Sequence, residues 1–104
     1  LVSNQATDSM RRVSSLSNIK RYGLPNNERH RLQLHFSRNC VDWCFAGMVA
    51  CSTNELYSRN YPSAVIKGDD LHIVCRSADE HALNPQYNNM ITHHIVSNFR
   101  QLIY

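Results

Sequence analysis

Arg76 is the residue whose type and position best suit ligand binding. It ends the alternating run 71–76, and the loop that follows carries acidic and imidazole side chains at Asp79, Glu80 and His81. An arginine guanidinium is a planar fork that meets a carboxylate with two charge-assisted hydrogen bonds. We therefore expect Arg76 either to hold the carboxylate of a ligand or to form a structural salt bridge with Asp79 or Glu80.

The adjacent acids Asp79 and Glu80 offer a general acid. Two nearby carboxyl groups can be driven to different pKa values, so that one of them keeps its proton. Adjacent residues rarely face one site together, however, and acids on exposed loops are commonly solvated. We therefore keep Asp79, Glu80 and His81 as candidate ligand contacts, with solvated loop side chains as the alternative, and assign no catalytic residue.

Three further residues are candidates by their type. Asn89 would either orient a hydroxyl-rich ligand or cap the loop before the next strand. Arg31 precedes a strand and is a weaker candidate of the same kind as Arg76. Tyr61 would either stack on a sugar ring or be a buried aromatic at the start of a strand.

The cysteine spacing does not predict a metal site. It reads C-x3-C, then C-x6-C, then a long gap, and it lacks the paired C-x2-C that is typical of zinc sites. Cys75 alternates with Leu71 and Ile73 and is expected on an apolar face. We interpret the cysteines as small buried thiols, and a Cys40–Cys44 disulfide is the alternative in an exported protein.

The histidines do not predict a metal site either. Six of them are spread along the chain, and His93 and His94 are neighbours, which point to opposite faces of a strand. We expect neither a metal nor another cofactor.

Composition restricts the class of protein and its partners. The chain has 104 residues, 42% of them hydrophobic and 18% charged, which is typical of a globular domain. The net charge of +3 is mild, and the basic residues do not form the stripe that a nucleic-acid site requires. No apolar run approaches the roughly 20 residues of a membrane helix. We therefore predict neither a nucleic-acid partner nor a membrane.

Hydrophobic alternation from residue 32 onwards predicts an all-β fold. The stretch 11–22 is a short helix or an irregular strand, and 23–27 is a turn. A polar link at 52–60 follows the second strand, and the turn 68–70 joins two strong runs. A further element starts at Phe99, and residues 1–5 end a strand that we expect to continue upstream. The expected strands are 32–36, 43–50, 63–67, 71–76 and 90–96.

A faint internal repeat supports this prediction. The segments "LQLHFS" from Leu32 and "LHIVCRS" from Leu71 share a pattern and begin 39 residues apart. Blades of β-propellers recur at about this period.

Two stretches resemble a known family. Ser37, Asn39 and Trp43 follow a strand in the spacing of the Asp-box of sialidase-like, BNR-repeat propellers, although Asn39 replaces the usual Asp and Cys40 the usual Gly. The motif is a folding element, in which the polar side chains bond the turn and the Trp packs under the hairpin. The stretch 61–100 is similar to a late blade of such propellers, through its Gly68-Asp69-Asp70 turn, Arg76, Asn89 and Asn98-Phe99-Arg100.

The resemblance implies about two antiparallel blades of a larger β-propeller, with the first portion at 1–52 and the second at 61–104. The remaining blades of the same parent chain would then be its partners. Sialidases hold a substrate carboxylate with arginines and use a Tyr/Glu pair plus an acid. This chain lacks their Arg-Ile-Pro signature, and its sequence does not reveal a Tyr/Glu pair.

Three functions follow as expectations. The first is a fragment of a sialidase-like glycoside hydrolase that acts on glycans but is inactive alone, since the missing blades would supply most of the site. The second is a non-catalytic propeller module that binds carbohydrate or protein. The third, an independent small β-domain, is disfavoured by its exposed strand edges. The family resemblance alone favours a secreted or periplasmic protein.

Overall fold

The computed structural model describes residues 1–4, 29–54, 56–83 and 87–104. Within these residues the chain forms six strands in two antiparallel sheets, followed by a short 3-10 helix. The expected all-β class is confirmed. The helix or strand expected at 11–22 and the turn expected at 23–27 lie outside the described residues.

Each sheet has three strands and is open at both edges. The strand Arg59–Lys67 begins inside the expected polar link 52–60, and the strand Asp70–Ser77 extends one residue beyond each of its predicted bounds. The further element expected at Phe99 is the 3-10 helix Phe99–Leu102. Sheet A contains β1 (Val2–Asn4), β2 (Arg31–Phe36) and β3 (Cys44–Cys51), and sheet B contains β4 (Arg59–Lys67), β5 (Asp70–Ser77) and β6 (Met90–Val96).

The repeated segments form the central strands β2 and β5 of the two sheets. Their apolar side chains lie on the faces that the sheets turn toward each other, because alternate residues of a strand share one face. The two sheets therefore stack around a single core. Its buried members are Leu32, Leu34, Leu71, Ile73 and Cys75.

The turn between β2 and β3 is held by the side chain of Asn39. Its Oδ1 accepts hydrogen bonds from the backbone N–H groups of Val41 and Asp42, each at 2.9 Å, and its Nδ2 donates to Asp42. The Ser37 hydroxyl donates to the same Oδ1 at 3.1 Å. Cys40 adopts a left-handed backbone with φ of 61°, which is the conformation that the glycine of an Asp-box position would supply without strain.

The two ends of the sheet stack differ in character. We define the polar end as residues 29–31, 58–61 and 76–79, where β2 and β4 begin and β5 ends. The apolar end comprises residues 36–44, 66–71 and 97–104. An apolar cavity of about 300 Å³ opens there between the sheets, and its walls include Leu34, Trp43, Ile66, Phe99 and Ile103.

The cysteines only partly follow the prediction of buried thiols. Cys75 is buried, whereas Cys40 and Cys51 are exposed, and all four cysteines are free. The turn places Cys40 on the surface, and Cys51 ends an outer strand. In the described part of the chain, no helix has the length and apolar character required to span a membrane.

Candidate functional site

Two arginines meet at one exposed tyrosine at the polar end. The guanidinium carbons of Arg29 and Arg76 lie 5.4 Å and 5.3 Å from the centre of the Tyr61 ring. The ring is 65% exposed, so the expected alternative of a buried aromatic at this position is wrong. Cation–π attraction orients both guanidinium groups around the ring. Among the described residues, neither arginine forms an ion pair with a carboxylate.

The backbone of Tyr61 is strained. Its φ is 48°, in the left-handed region that bulky residues rarely adopt. The residue lies in an irregularity of the β4–β5 pairing, between Asn60 and Ser63. Pro62 suits this bulge, because β4 is an edge strand and proline has no N–H to donate. Strain that persists at an exposed aromatic is typical of a functional position.

A buried amide supports Arg29 from the protein side. Asn60 has no solvent exposure, and its Oδ1 accepts a hydrogen bond of 3.3 Å from the Arg29 guanidinium. Its Nδ2 donates to the Oδ1 of Asn88 at 2.7 Å. Such a buried network fixes the amide, because leaving its polar atoms unpaired would cost free energy.

The Asn4 side chain links three backbone segments at the polar end by hydrogen bonds. Its Nδ2 donates to the carbonyl oxygens of Arg59 at 2.7 Å, Arg31 at 3.1 Å and Arg29 at 3.4 Å. The amide of Arg59 in turn donates to the carbonyl of Arg29. The segment before β2 is therefore fixed against the start of β4, which brings Arg29 beside Tyr61.

The acidic loop forms a second cluster. The Oδ1 of Asp79 accepts hydrogen bonds from the Asn89 amide at 2.8 Å and from the backbone N–H of His81 at 2.9 Å. These bonds, led by that of Asn89, lower the pKa of the Asp79 carboxyl. Asn89 also accepts from the backbone N–H of Asp79, so it closes the loop, as the capping alternative expected.

Glu80 is engaged with a tyrosine that the sequence did not single out. A hydrogen bond from Tyr57 lowers the pKa of Glu80 and raises the pKa of Tyr57. His81 lies 3.7 Å from the Glu80 carboxylate, and both side chains are largely exposed. Both loop acids therefore stay ionised at neutral pH, which makes them poor proton donors.

A chain of hydroxyl and imidazole groups lies on the inner face of sheet B. Ser77 and Thr92 are joined at 2.6 Å, and Thr92 meets the Nε2 of His94 at 2.9 Å. Burial lowers the pKa of His94, and the positive charge of Arg59 adds to this. Ser77 has no solvent exposure, so a substrate cannot reach it. This chain of groups therefore has a structural role.

The structure separates the residues that the sequence placed in one site. Arg76 joins Tyr61, whereas Asp79, His81 and Asn89 bind one another. Arg31 is the first residue of β2, where its carbonyl accepts from Asn4. The Asp-box residues Ser37, Asn39 and Trp43 lie at the opposite, apolar end, and Trp43 is 47% exposed there.

Sequence reasoning missed Arg29, Asn60 and Tyr57. Arg29 and Asn60 are distant in sequence, and only the docking of the two sheets brings them together. The polar cluster Ser58-Arg59-Asn60 ahead of a predicted strand was a usable signal, because polar residues that enter a strand frequently satisfy buried backbone groups.

No protein-family model matches the chain, and comparisons with curated proteins and with solved structures give no significant match. The functional proposal therefore rests on the contacts of the described residues and on the motif resemblance.

Proposed function

We propose that this chain is part of a propeller-like β-sheet protein that binds an acidic carbohydrate without hydrolysing it. The observation that carries the proposal is the pair of arginines, Arg29 and Arg76, at the exposed ring of Tyr61. Two guanidinium groups without a carboxylate partner among the described residues offer charge-assisted hydrogen bonds to the carboxylate of a sugar acid. The phenol hydroxyl adds a donor and acceptor for sugar hydroxyls.

A protein ligand fits the site formed by Arg29, Arg76 and Tyr61 less well than a sugar acid does. A carboxylate that meets two arginines beside an aromatic ring is a small, planar, anionic feature. The exposed phenol hydroxyl of Tyr61 also lies beside the arginines and suits a hydroxyl-rich ligand. These features support a sugar acid as the ligand class.

A glycoside hydrolase is the second candidate, and one observation favours it. Tyr57 and Glu80 form a hydrogen-bonded Tyr/Glu pair, which is the pair that sialidases use. The pKa directions oppose catalysis, because a nucleophilic tyrosine must lose its proton and the pKa of Tyr57 is raised. A hydrolase also needs a carboxyl group that stays protonated, whereas the pKa values of Asp79 and Glu80 are both lowered.

Calorimetric titration of the chain with N-acetylneuraminic acid tests the proposal. We expect saturable binding that Arg76→Ala and Arg29→Ala each weaken by about tenfold or more, since a hydrogen bond to a charged group is worth roughly 1.5–3 kcal/mol. Arg38→Ala is the matched control, because Arg38 is an exposed arginine at the apolar end. Equal losses for Arg38→Ala and Arg76→Ala would show non-specific charge attraction and refute the site.

Hydrolysis of a fluorogenic sialoside separates the two candidates. We expect no turnover by the chain. Turnover that disappears in Tyr57→Phe and in Glu80→Gln would replace the binding proposal with the hydrolase.

A further inference from the structure

Two histidines meet on the outer face of sheet B, the face that also carries Arg76. The Nδ1 of His72 and the Nε2 of His93 lie 3.0 Å apart. Their rings are 5.1 Å apart between centres and inclined by only 21°. One imidazole therefore donates an N–H to the other, and a single proton holds the pair together.

The backbone fixes this spacing. His72 lies on the central strand β5, where it pairs with Ile95, and His93 lies on β6, where it pairs with Val74. Both side chains project from the same face, because the paired residues alternate along the strands. Val65 is the cross-strand neighbour of His72 on this face, and Asp70 and Lys67 lie beyond it at the hairpin end.

The nitrogen spacing fits two ligands of one metal ion. Two imidazole nitrogens bound to Zn²⁺ at about 2.0–2.1 Å are separated by roughly 2.9–3.4 Å for bond angles between square and tetrahedral. The 3.0 Å between His72 and His93 lies within that range. A metal ion requires the shared proton to leave and the rings to tilt until both lone pairs converge. His93 is exposed and His72 partly so, which leaves room for that tilt.

We propose that His72 and His93 form a two-histidine site for Zn²⁺ or a similar divalent transition-metal ion. Water molecules complete the coordination, because within the described residues no cluster of three or more potential ligands is present. Among the charged residues on the same face, Lys67 and Arg76 repel a cation and Asp70 attracts it, and salt screens both effects.

Zinc titration with ZnCl2, followed by calorimetry and by two-dimensional NMR of the ¹⁵N-labelled chain, tests the site. We expect one Zn²⁺ per chain, with shifts centred on β5 and β6. His72→Ala and His93→Ala should each lower the affinity by about tenfold or more, since loss of a direct ligand costs at least as much as loss of the groups that orient it.

Two controls complete the design. His81→Ala removes an exposed loop histidine and should leave the affinity unchanged. The double variant Cys40→Ser/Cys51→Ser removes both exposed thiols, which are competing zinc ligands. Binding that survives both histidine substitutions, or that is lost in the double cysteine variant or in His81→Ala, would overturn the proposal.

Discussion

The two ends of the sheet stack each contain a strained residue, and the strain has different origins. At the apolar end Cys40 has a φ of 61°, and at the polar end Tyr61 has a φ of 48°. Cys40 lies in a tight turn where the family resemblance has glycine, and its side chain is exposed. Tyr61 has the same kind of backbone but carries two arginines at its ring.

This difference teaches how a strained position is to be interpreted. The turn at Cys40 is held by the Asn39 side chain, so any residue that tolerates the left-handed region would serve there. The bulge at Tyr61 lies next to the buried amide of Asn60, and the exposed ring does not contribute to the core. The strain at Cys40 follows from the geometry of its tight turn. The strain at Tyr61 accompanies a ring that holds the charged groups of Arg29 and Arg76 in place.

The largest effect on stability is expected in the core at the apolar end. Leu71→Ala should lower the free energy of unfolding by about 2–4 kcal/mol, because Leu71 is buried between the sheets and its loss leaves a cavity. Chemical denaturation measures this. Binding of the sugar acid to the folded fraction should be unchanged. A loss of affinity in the folded variant would mean that the two ends are coupled.

Asn60→Ala should affect both stability and binding. We expect a loss of about 1–3 kcal/mol of unfolding free energy, because the partners of a fully buried amide lose their hydrogen bonds. The affinity for the sugar acid should fall as well, since Arg29 loses its support. If calorimetry on the folded variant shows full affinity, Asn60 has no positioning role.

Replacing each strained residue by glycine, as Cys40→Gly or as Tyr61→Gly, compares the two ends directly. Cys40→Gly should raise the unfolding free energy by about 0.5–1 kcal/mol, because relief of the left-handed strain exceeds the entropic cost of glycine. Tyr61→Gly should raise the unfolding free energy by less, since each lost contact with a guanidinium group is worth about 0.5–1 kcal/mol. Only Tyr61→Gly should abolish ligand binding. Equal binding by the two variants would contradict the separate origins of strain.

The smallest effect is expected on the stability of the Asp79 loop at low pH. The pKa of Asp79 is lowered by its hydrogen bonds in the folded chain, so its stabilising contribution is fully present above its unfolded pKa. That contribution is lost as the pH falls below the ordinary value of 3.8 and through the folded pKa. Amide exchange at His81 should accelerate over this range. In Asn89→Ala the acceleration should begin at higher pH, and an unchanged profile would show that Asn89 does not lower the pKa of Asp79.

The sequence predicted the fold better than the site. Alternation placed the strands that contain Leu32 and Ile73, because period two follows directly from a half-buried strand. Tyr61 did not follow that pattern, since a bulge interrupts the alternation and turns its side chain to solvent. Arg29 depends on sheet docking, which local patterns do not encode. The Tyr57–Glu80 contact is likewise long-range.

One NMR titration tests the central claim most directly. Arg29 and Arg76 should bind the carboxylate of N-acetylneuraminic acid, so the side-chain Nε–H signals of both arginines should shift on addition of the acid. The methyl ester of the same sugar keeps every hydroxyl group but has no charge, and it should leave both signals in place. Equal shifts with acid and ester, or shifts confined to Arg38 and Arg100, would contradict the account.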